Sequence, residues 1–90
     1  MTPDDWIQQL KKAYPKRARG KNYNWPVAIR HLRGHLKNYP FDMILAGTEE
    51  FCKAMKISGD YGTEFIPMAS TFYGPQERFL DEYETEGPEL

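Results

Sequence analysis

FDMILAGTEEFCKAMK, residues 41–56, is the longest amphipathic stretch of this 90-residue chain. Its apolar positions recur every three or four residues, which is the spacing that brings side chains onto one face of an α-helix. Those positions are held by Phe41, Ile44, Leu45, Thr48, Phe51, Cys52 and Met55. We therefore predict a helix from about residue 41 to residue 56, with this face against a core.

A first helix is predicted near the start of the chain. Thr2 is typical of an N-cap, and Pro3 suits the first helical position because its missing N–H is not needed there. Core positions then recur at helical spacing and are held by Trp6, Ile7, Leu10, Ala13 and Tyr14. Pro15 disfavours helix at the residue before it, so this helix should span about residues 3–14.

A second helix is predicted after a polar loop of residues 15–24. Asn24 is expected to cap this helix, with Pro26 in its first turn and an end near Asn38. Its predicted core face carries Ala28, Ile29, Leu32 and Leu36. Gly34 should weaken it by about 1 kcal/mol relative to alanine.

The last third of the chain predicts shorter elements. Residues 58–62 have the composition of an exposed turn, and Pro67 is expected to open a short helical turn with Met68, Ala69 and Phe72 inward. A final helix is predicted over residues 75–84, with Phe79, Leu80 and Tyr83 inward. The fold class expected is all-α: four to five short helices in one domain, residues 1–84, with a long basic loop between helices 1 and 2. Residues 85–90 should form an acidic, flexible tail.

Charge divides the chain into two halves. Residues 1–40 carry nine Lys/Arg and two Asp, a net charge of +7, whereas residues 41–90 carry three Lys/Arg and eleven Asp/Glu, a net charge of −8. Such asymmetry favours a basic surface for a polyanion or an acidic partner, together with a separate acidic surface. The alternative is that folding interleaves the halves, so that their fields largely cancel.

Cysteine content and hydropathy limit the expected compartment. Cys52 is the only cysteine, which excludes an intramolecular disulfide and fits a reducing cytoplasm. No apolar run approaches the roughly 20 residues that span a bilayer, and the acidic start of the chain is unlike an export signal. We therefore expect a cytoplasmic protein without a membrane span.

Side-chain patterns for catalysis or metal binding are weak. His31 and His35 have the i, i+4 spacing of zinc peptidases, but Leu32 stands where those enzymes place Glu, and no third ligand has a recognisable spacing. Cys52 is expected on a core face, where burial raises the pKa of a thiol and makes it a poor nucleophile. Phosphate-binding glycine loops are missing from the sequence, so we predict binding rather than catalysis, without a metal, cofactor or small-molecule substrate.

Cations interleaved with aromatic residues mark the loop between the first two helices. Such a combination suits single-stranded DNA, because cations neutralise phosphates and exposed rings stack on bases. The second helix adds a cationic ridge on one flank, with His31 and His35 on the other. The candidate nucleic-acid-binding residues are Lys16, Arg17, Arg19, Lys21, Tyr23, Arg30, Arg33 and Lys37. A purely structural interpretation stays open, in which Tyr14 and Trp25 close the core and the cations are merely solvated.

A second hypothesis assigns the acidic half to protein binding. Its candidate residues are Glu77, Asp81, Glu82 and Glu84, which would dock a helicase, a helicase loader or a host enzyme. Such a surface would mimic the charge of DNA in the channel of a partner.

Several short motifs resemble a known protein family. They are Trp6, then Ala13-Tyr14-Pro15-Lys16-Arg17, Gly20 and Ala28, followed by Phe65-Ile66-Pro67 and Ser70-Thr71-Phe72-Tyr73. Over about residues 6–80 the pattern resembles the C-terminal module of bacteriophage and prophage replication proteins, of the replisome-organiser or lambda O-like initiator type. In that family a Tyr-Pro-Lys/Arg segment precedes helices, and a Phe/Tyr-Ile-Pro segment followed by Ser/Thr-Thr-Phe/Trp closes the module.

The resemblance implies a role in phage DNA replication, with the module contacting single-stranded DNA, a helicase or a helicase loader. The sequence departs from the family at Tyr73-Gly74, which replace the usual Leu and polar residue. It also has no counterpart of the winged-helix region that binds origins, so origin recognition is not expected. We predict a non-enzymatic replication accessory protein in the host-cell cytoplasm.

Overall fold

The computed structural model describes residues 3–81, in which four α-helices and one 3₁₀ turn are connected by loops. The helices are α1 (Pro3–Ala13), α2 (Trp25–His35), α3 (Phe41–Ser58) and α4 (Ala69–Phe72), and the 3₁₀ turn is Arg78–Leu80. No β-strand occurs in this part of the chain. The prediction of a small all-α bundle with a long loop between its first two helices is confirmed. Within residues 3–81, none of the helices has the length and apolarity needed to span a bilayer.

Helix ends differ from the predictions by a few residues. The second helix ends at His35 rather than near Asn38, because Lys37 and Asn38 donate to carbonyls only three residues back and tighten the chain into turns. The third helix extends to Ser58, where Gly59 stops it with a left-handed φ of 85°. The predicted Thr2 cap lies outside the described residues.

Asn24 precedes α2 as predicted, but the capping role assigned to its side chain is wrong. Its backbone is left-handed, with φ 53°, and its side chain makes no capping hydrogen bond. Instead, the Asn24 N–H donates to the side-chain oxygen of Asn22 at 3.0 Å. Helix α2 is therefore stabilised at this end mainly by Pro26 and by tertiary packing.

The predicted final helix over residues 75–84 is wrong where the structure describes it. A turn follows Gly74, Glu77 adopts a left-handed φ of 53°, and only the 3₁₀ turn Arg78–Leu80 follows. Phe79 is buried as predicted, whereas Leu80 is exposed, and Tyr83 lies outside the described residues. The short helix near Pro67 exists but begins at Ala69, with Ala69 and Phe72 buried and Met68 exposed rather than inward.

The core lies where the four helices and the 3₁₀ turn meet. Helix α1 packs on α3, α2 packs on α4, and the 3₁₀ turn packs on both α3 and α4. The core is rich in aromatic rings and includes Leu10, Tyr14, Leu32, Ile44, Phe51, Ile66, Phe72, Tyr73 and Phe79. Its one buried polar pair is satisfied within the described residues: the Thr48 hydroxyl donates to the Ile44 carbonyl at 2.9 Å and accepts from the Tyr73 hydroxyl at 2.7 Å.

Gly47 sets the distance between α3 and the 3₁₀ turn. A β-carbon at this position would overlap the carbonyl oxygen of Phe79. The glycine therefore lets the backbone of the 3₁₀ turn lie directly on α3. This contact holds the Phe79 ring in the core, 4.9 Å from the ring of His35.

Candidate nucleic-acid interface

The basic loop of residues 15–24 is held against the turn of residues 60–66. The Gly62 N–H donates to the Lys16 carbonyl at 2.8 Å, and the Ala18 N–H donates to the Thr63 carbonyl at 3.1 Å. Gly20 has a left-handed φ of 83°, and the Lys21 N–H closes a turn by donating to the Ala18 carbonyl at 3.0 Å. These contacts fix the loop, although its sequence has no helical or strand periodicity.

Arg17 uses its side chain to hold this loop together. Its Nε–H donates to the Ile66 carbonyl at 2.8 Å, and its guanidinium also donates to the Asn22 carbonyl. The Arg17 backbone N–H donates to the Tyr23 hydroxyl oxygen at 2.9 Å. The structure therefore places Arg17 as a half-buried anchor, whereas the sequence had placed it with the phosphate-binding cations.

Tyr14 completes the same junction from the end of α1. Its hydroxyl donates to the Pro67 carbonyl at 2.7 Å, next to the carbonyl that Arg17 binds. Its buried ring contacts those of Trp25 and Phe72 at centroid distances of 5.6 and 5.7 Å. The two motifs, Tyr14-Pro15-Lys16-Arg17 and Phe65-Ile66-Pro67, thus lie against each other. The residues that are hydrogen-bonded between them are 53 and 49 positions apart in the sequence.

Tyr23 and Trp25 are half-buried rather than free for stacking. Their rings stack on each other at 6.3 Å, and Tyr23 also meets the edge of Tyr14 at 6.0 Å. Lys11 covers Trp25 from α1, with its Nζ 5.8 Å from the ring centroid. The structural interpretation of Tyr14 and Trp25 as rings that close the core therefore fits the geometry.

The exposed rings beside the loop are two that were not among the predicted nucleic-acid-binding residues. Phe65 is 71% exposed, and Tyr61 is 37% exposed. Both belong to the turn that is hydrogen-bonded to the basic loop, where Thr63 holds the backbone by accepting from the Phe65 N–H at 3.2 Å. The only sequence signal was that Phe65 precedes Ile66-Pro67, which gives no indication of which apolar side chain points outward.

We define the loop surface as the exposed cations of the loop together with these two rings. Its members are Lys16, Arg19, Lys21, Tyr61 and Phe65, all of which are exposed. Lys56 adds a cation at its edge, with Nζ 5.1 Å from the centroid of the Tyr61 ring. The surface thus combines ammonium and guanidinium groups with ring faces, which are the groups needed to bind phosphates and bases.

The cationic ridge lies elsewhere on the molecule. Arg30, Arg33 and Lys37 are exposed; at 100° per residue Arg30 and Arg33 fall on the side of α2 away from His35, and Lys37 follows just after the end of the helix. His35 faces the end of α4, where its Nε2–H donates to the Tyr73 carbonyl at 2.8 Å. The candidate cations are therefore divided between two surfaces.

His31 and Cys52 do not assemble a reactive centre with their neighbours. His31 is half-buried on α2, and no three His, Cys, Asp or Glu side chains come together as a metal site within residues 3–81. Burial raises the pKa of the Cys52 thiol, with a smaller opposing effect from Lys56. This thiol is predominantly protonated at neutral pH, although Cys52 is half-buried beside Lys12 and Lys53 rather than in the core.

The acidic residues proposed for partner binding are only partly described. The Glu77 carboxylate accepts a hydrogen bond from the Tyr39 hydroxyl at 2.5 Å, and this bond, with burial, raises the pKa of Tyr39. Asp81 is exposed, whereas Glu82 and Glu84 lie outside the described residues. Glu77 thus fixes the turn before residues 78–80.

Comparison with known proteins gives no relative: no family model, no curated protein and no solved structure matches this chain.

Proposed function

We propose that this protein binds single-stranded DNA through the loop surface, as a non-enzymatic accessory factor of phage-type DNA replication. The observation that carries the proposal is the pairing of the basic loop with the turn that exposes Phe65. Three exposed cations and two exposed rings are carried by two segments whose backbones are hydrogen-bonded to each other. Ring faces stack on any base, so such a surface favours single strands without strong sequence preference.

The phage-replication context rests on the resemblance in the two short motifs. Their contact through Tyr14 and Arg17 supports the proposal, because it gives both motifs one shared purpose, which is to hold the loop surface in place. On this view Tyr14 and Arg17 hold the loop and the turn together, and the exposed cations and rings of these two segments contact the ligand.

The test is the salt dependence of binding to a fluorescein-labelled oligothymidylate of about 15 nucleotides, measured by fluorescence anisotropy. Each phosphate contact on a single strand contributes about 0.7 to the slope of log K against log salt concentration. Replacing Arg19 and Lys21 together by alanine should therefore flatten that slope by about 1.4. Phe65→Ala should weaken binding by about 1–3 kcal/mol, the usual cost of losing one stacked ring.

Matched controls remove equivalent groups elsewhere. Arg30→Ala with Lys37→Ala removes two exposed cations that do not belong to the loop surface, and should leave the slope nearly unchanged. Met43→Ala removes an exposed apolar side chain near the start of α3, at the end of the helix away from Lys56, and should not weaken oligothymidylate binding. Undetectable or salt-independent binding at low ionic strength would contradict the proposal.

A further inference from the structure

An apolar groove lies between α1 and α2, and none of the described residues that line it belongs to the loop surface. Its floor is formed by the buried Leu10 and Leu32, and its volume is about 330 Å³. Half-buried side chains form the walls: Trp6 and Ile7 from α1, and Ile29 and Leu36 from α2. The core of the protein thus continues to an open face between these two helices.

The two helices run in opposite directions along the groove. Lys11, near the end of α1, lies over Trp25 at the start of α2, whereas Trp6 and Ile7 line the groove together with Arg33 and Leu36. From Ile29 to Leu36 the groove follows about two helical turns of α2. This shape matches a short amphipathic helix that inserts side chains at i, i+3, i+4 and i+7.

The rim of the groove on the α2 side is cationic. Among the described residues that line the groove, Arg33 is the one with a charge; the exposed Arg30 lies one turn before it on α2, and the exposed Lys37 lies just after the end of that helix. Residues 25–38 contain these cations and two histidines but no Asp or Glu. An occupant with acidic residues beside its apolar face would complement this rim, whereas a basic one would be repelled.

We propose that the groove between α1 and α2 docks an acidic amphipathic helix of a partner protein. The apolar floor and walls bind the hydrophobic side chains of that helix, and the ridge Arg30, Arg33 and Lys37 pairs with its flanking carboxylates. The site is distinct from the loop surface, so the protein binds a protein partner on one face and DNA on another.

The probe is a synthetic helical peptide of about 15 residues, with leucines at i, i+3, i+4 and i+7 and glutamates beside them. A matched peptide carries lysine in place of every glutamate. Binding is followed by NMR at the Trp6 indole N–H and the methyl groups of Ile7 and Ile29. We expect saturable shifts confined to these groups, and affinity for the lysine peptide that is lower by about tenfold or more.

Variants then separate charge from packing. Arg30→Glu with Arg33→Glu changes only exposed side chains and should lower the affinity for the glutamate peptide by about tenfold. Lys53→Glu on α3 should have little effect on this affinity. Ile29→Gln should lower the affinity for both peptides, and the circular dichroism melting curve of this variant reports whether the fold is retained.

Four outcomes would overturn the proposal. The first is equal affinity for the two peptides, and the second is NMR shifts spread over the whole molecule. The third is a concentration-dependent dimer that Ile29→Gln abolishes. The fourth is that Arg30→Glu with Arg33→Glu weakens oligothymidylate binding as much as it weakens peptide binding. The dimer would make a second copy the occupant, and the last result would assign the ridge to nucleic acid. The first three outcomes are measured without DNA and therefore do not depend on the proposed function of the loop surface.

Discussion

The two sides of α2 differ in how completely they are filled. On the side of α4 and the 3₁₀ turn, which we call the closed side, His35, Tyr73 and Phe79 are joined by a hydrogen bond and by ring contacts. On the side of α1, which we call the open side, aliphatic residues line a groove that no part of residues 3–81 fills. Helical spacing assigned Ala28, Ile29, Leu32 and Leu36 to one core face and did not distinguish the buried Ala28 and Leu32 from the half-buried Ile29 and Leu36. Amphipathic spacing therefore indicates which residues avoid water, but not whether this chain or another molecule covers them.

Gly47→Ala should break the closed side and produce the largest effect. The added methyl group would overlap the Phe79 carbonyl, and moving the 3₁₀ turn away from α3 would open the core. We expect a loss of about 2–3 kcal/mol in the free energy of unfolding, measured by urea denaturation followed by circular dichroism.

Gly34→Ala is the matched substitution on the exposed surface of α2. Nothing lies within 4 Å of a β-carbon at this position, so alanine should stabilise the helix by about 0.5–1 kcal/mol. Opposite signs for the two alanines would support the close approach at Gly47. A neutral Gly47→Ala would mean that the 3₁₀ turn is not docked on α3.

Tyr73→Phe should change how the stability of the closed side depends on pH. Burial raises the pKa of Tyr73 well above its usual value of 10, with a smaller opposing effect from its bond to Thr48. Above pH 10 the unfolded chain loses this proton while the folded chain keeps it, so the stability that is fully present below pH 10 falls with rising pH. The expected contribution is about 1.4 kcal/mol per pH unit.

Urea titrations between pH 9 and pH 11 would measure this contribution. The phenylalanine variant should lose about 1 kcal/mol at neutral pH, because the Thr48 hydroxyl loses its donor, but its stability should fall less steeply above pH 10. An unchanged slope would show that the pKa of Tyr73 is the same in the folded and unfolded states, and would contradict its burial.

Arg17→Lys and Arg19→Lys should separate an anchored cation from an exposed one. Both substitutions keep the charge, but lysine cannot reproduce the guanidinium bonds from Arg17 to the Ile66 and Asn22 carbonyls. We expect Arg17→Lys to cost about 1–2 kcal/mol in unfolding free energy and Arg19→Lys to be nearly neutral. Equal, small effects on thermal melting would argue that the loop is not held by Arg17.

Arg17 and Arg19 show how much of the structure could be predicted from the sequence. Helical periodicity located α1, α2 and α3 within a few residues, because burial of one face decides where long helices form. It did not distinguish Arg17 from Arg19, because that difference depends on the carbonyl of Ile66, which is 49 residues away in the chain. Nor did it identify Phe65 as an exposed ring, or the 3₁₀ turn, whose geometry depends on Gly47 and on the left-handed Glu77.

Glu64→Gln should produce the smallest effect and sharpen the assignment of the loop surface. Glu64 is exposed in the turn between Thr63, which is bonded to the basic loop, and Phe65. A carboxylate there repels phosphates, so its removal should strengthen oligothymidylate binding by about twofold at low salt, and this gain should disappear near 1 M salt as charges become screened. Glu50→Gln removes an exposed carboxylate from α3 and should give a smaller gain. If both variants gain equally, net charge alone attracts the DNA; if only Glu64→Gln gains, the strand passes beside Phe65.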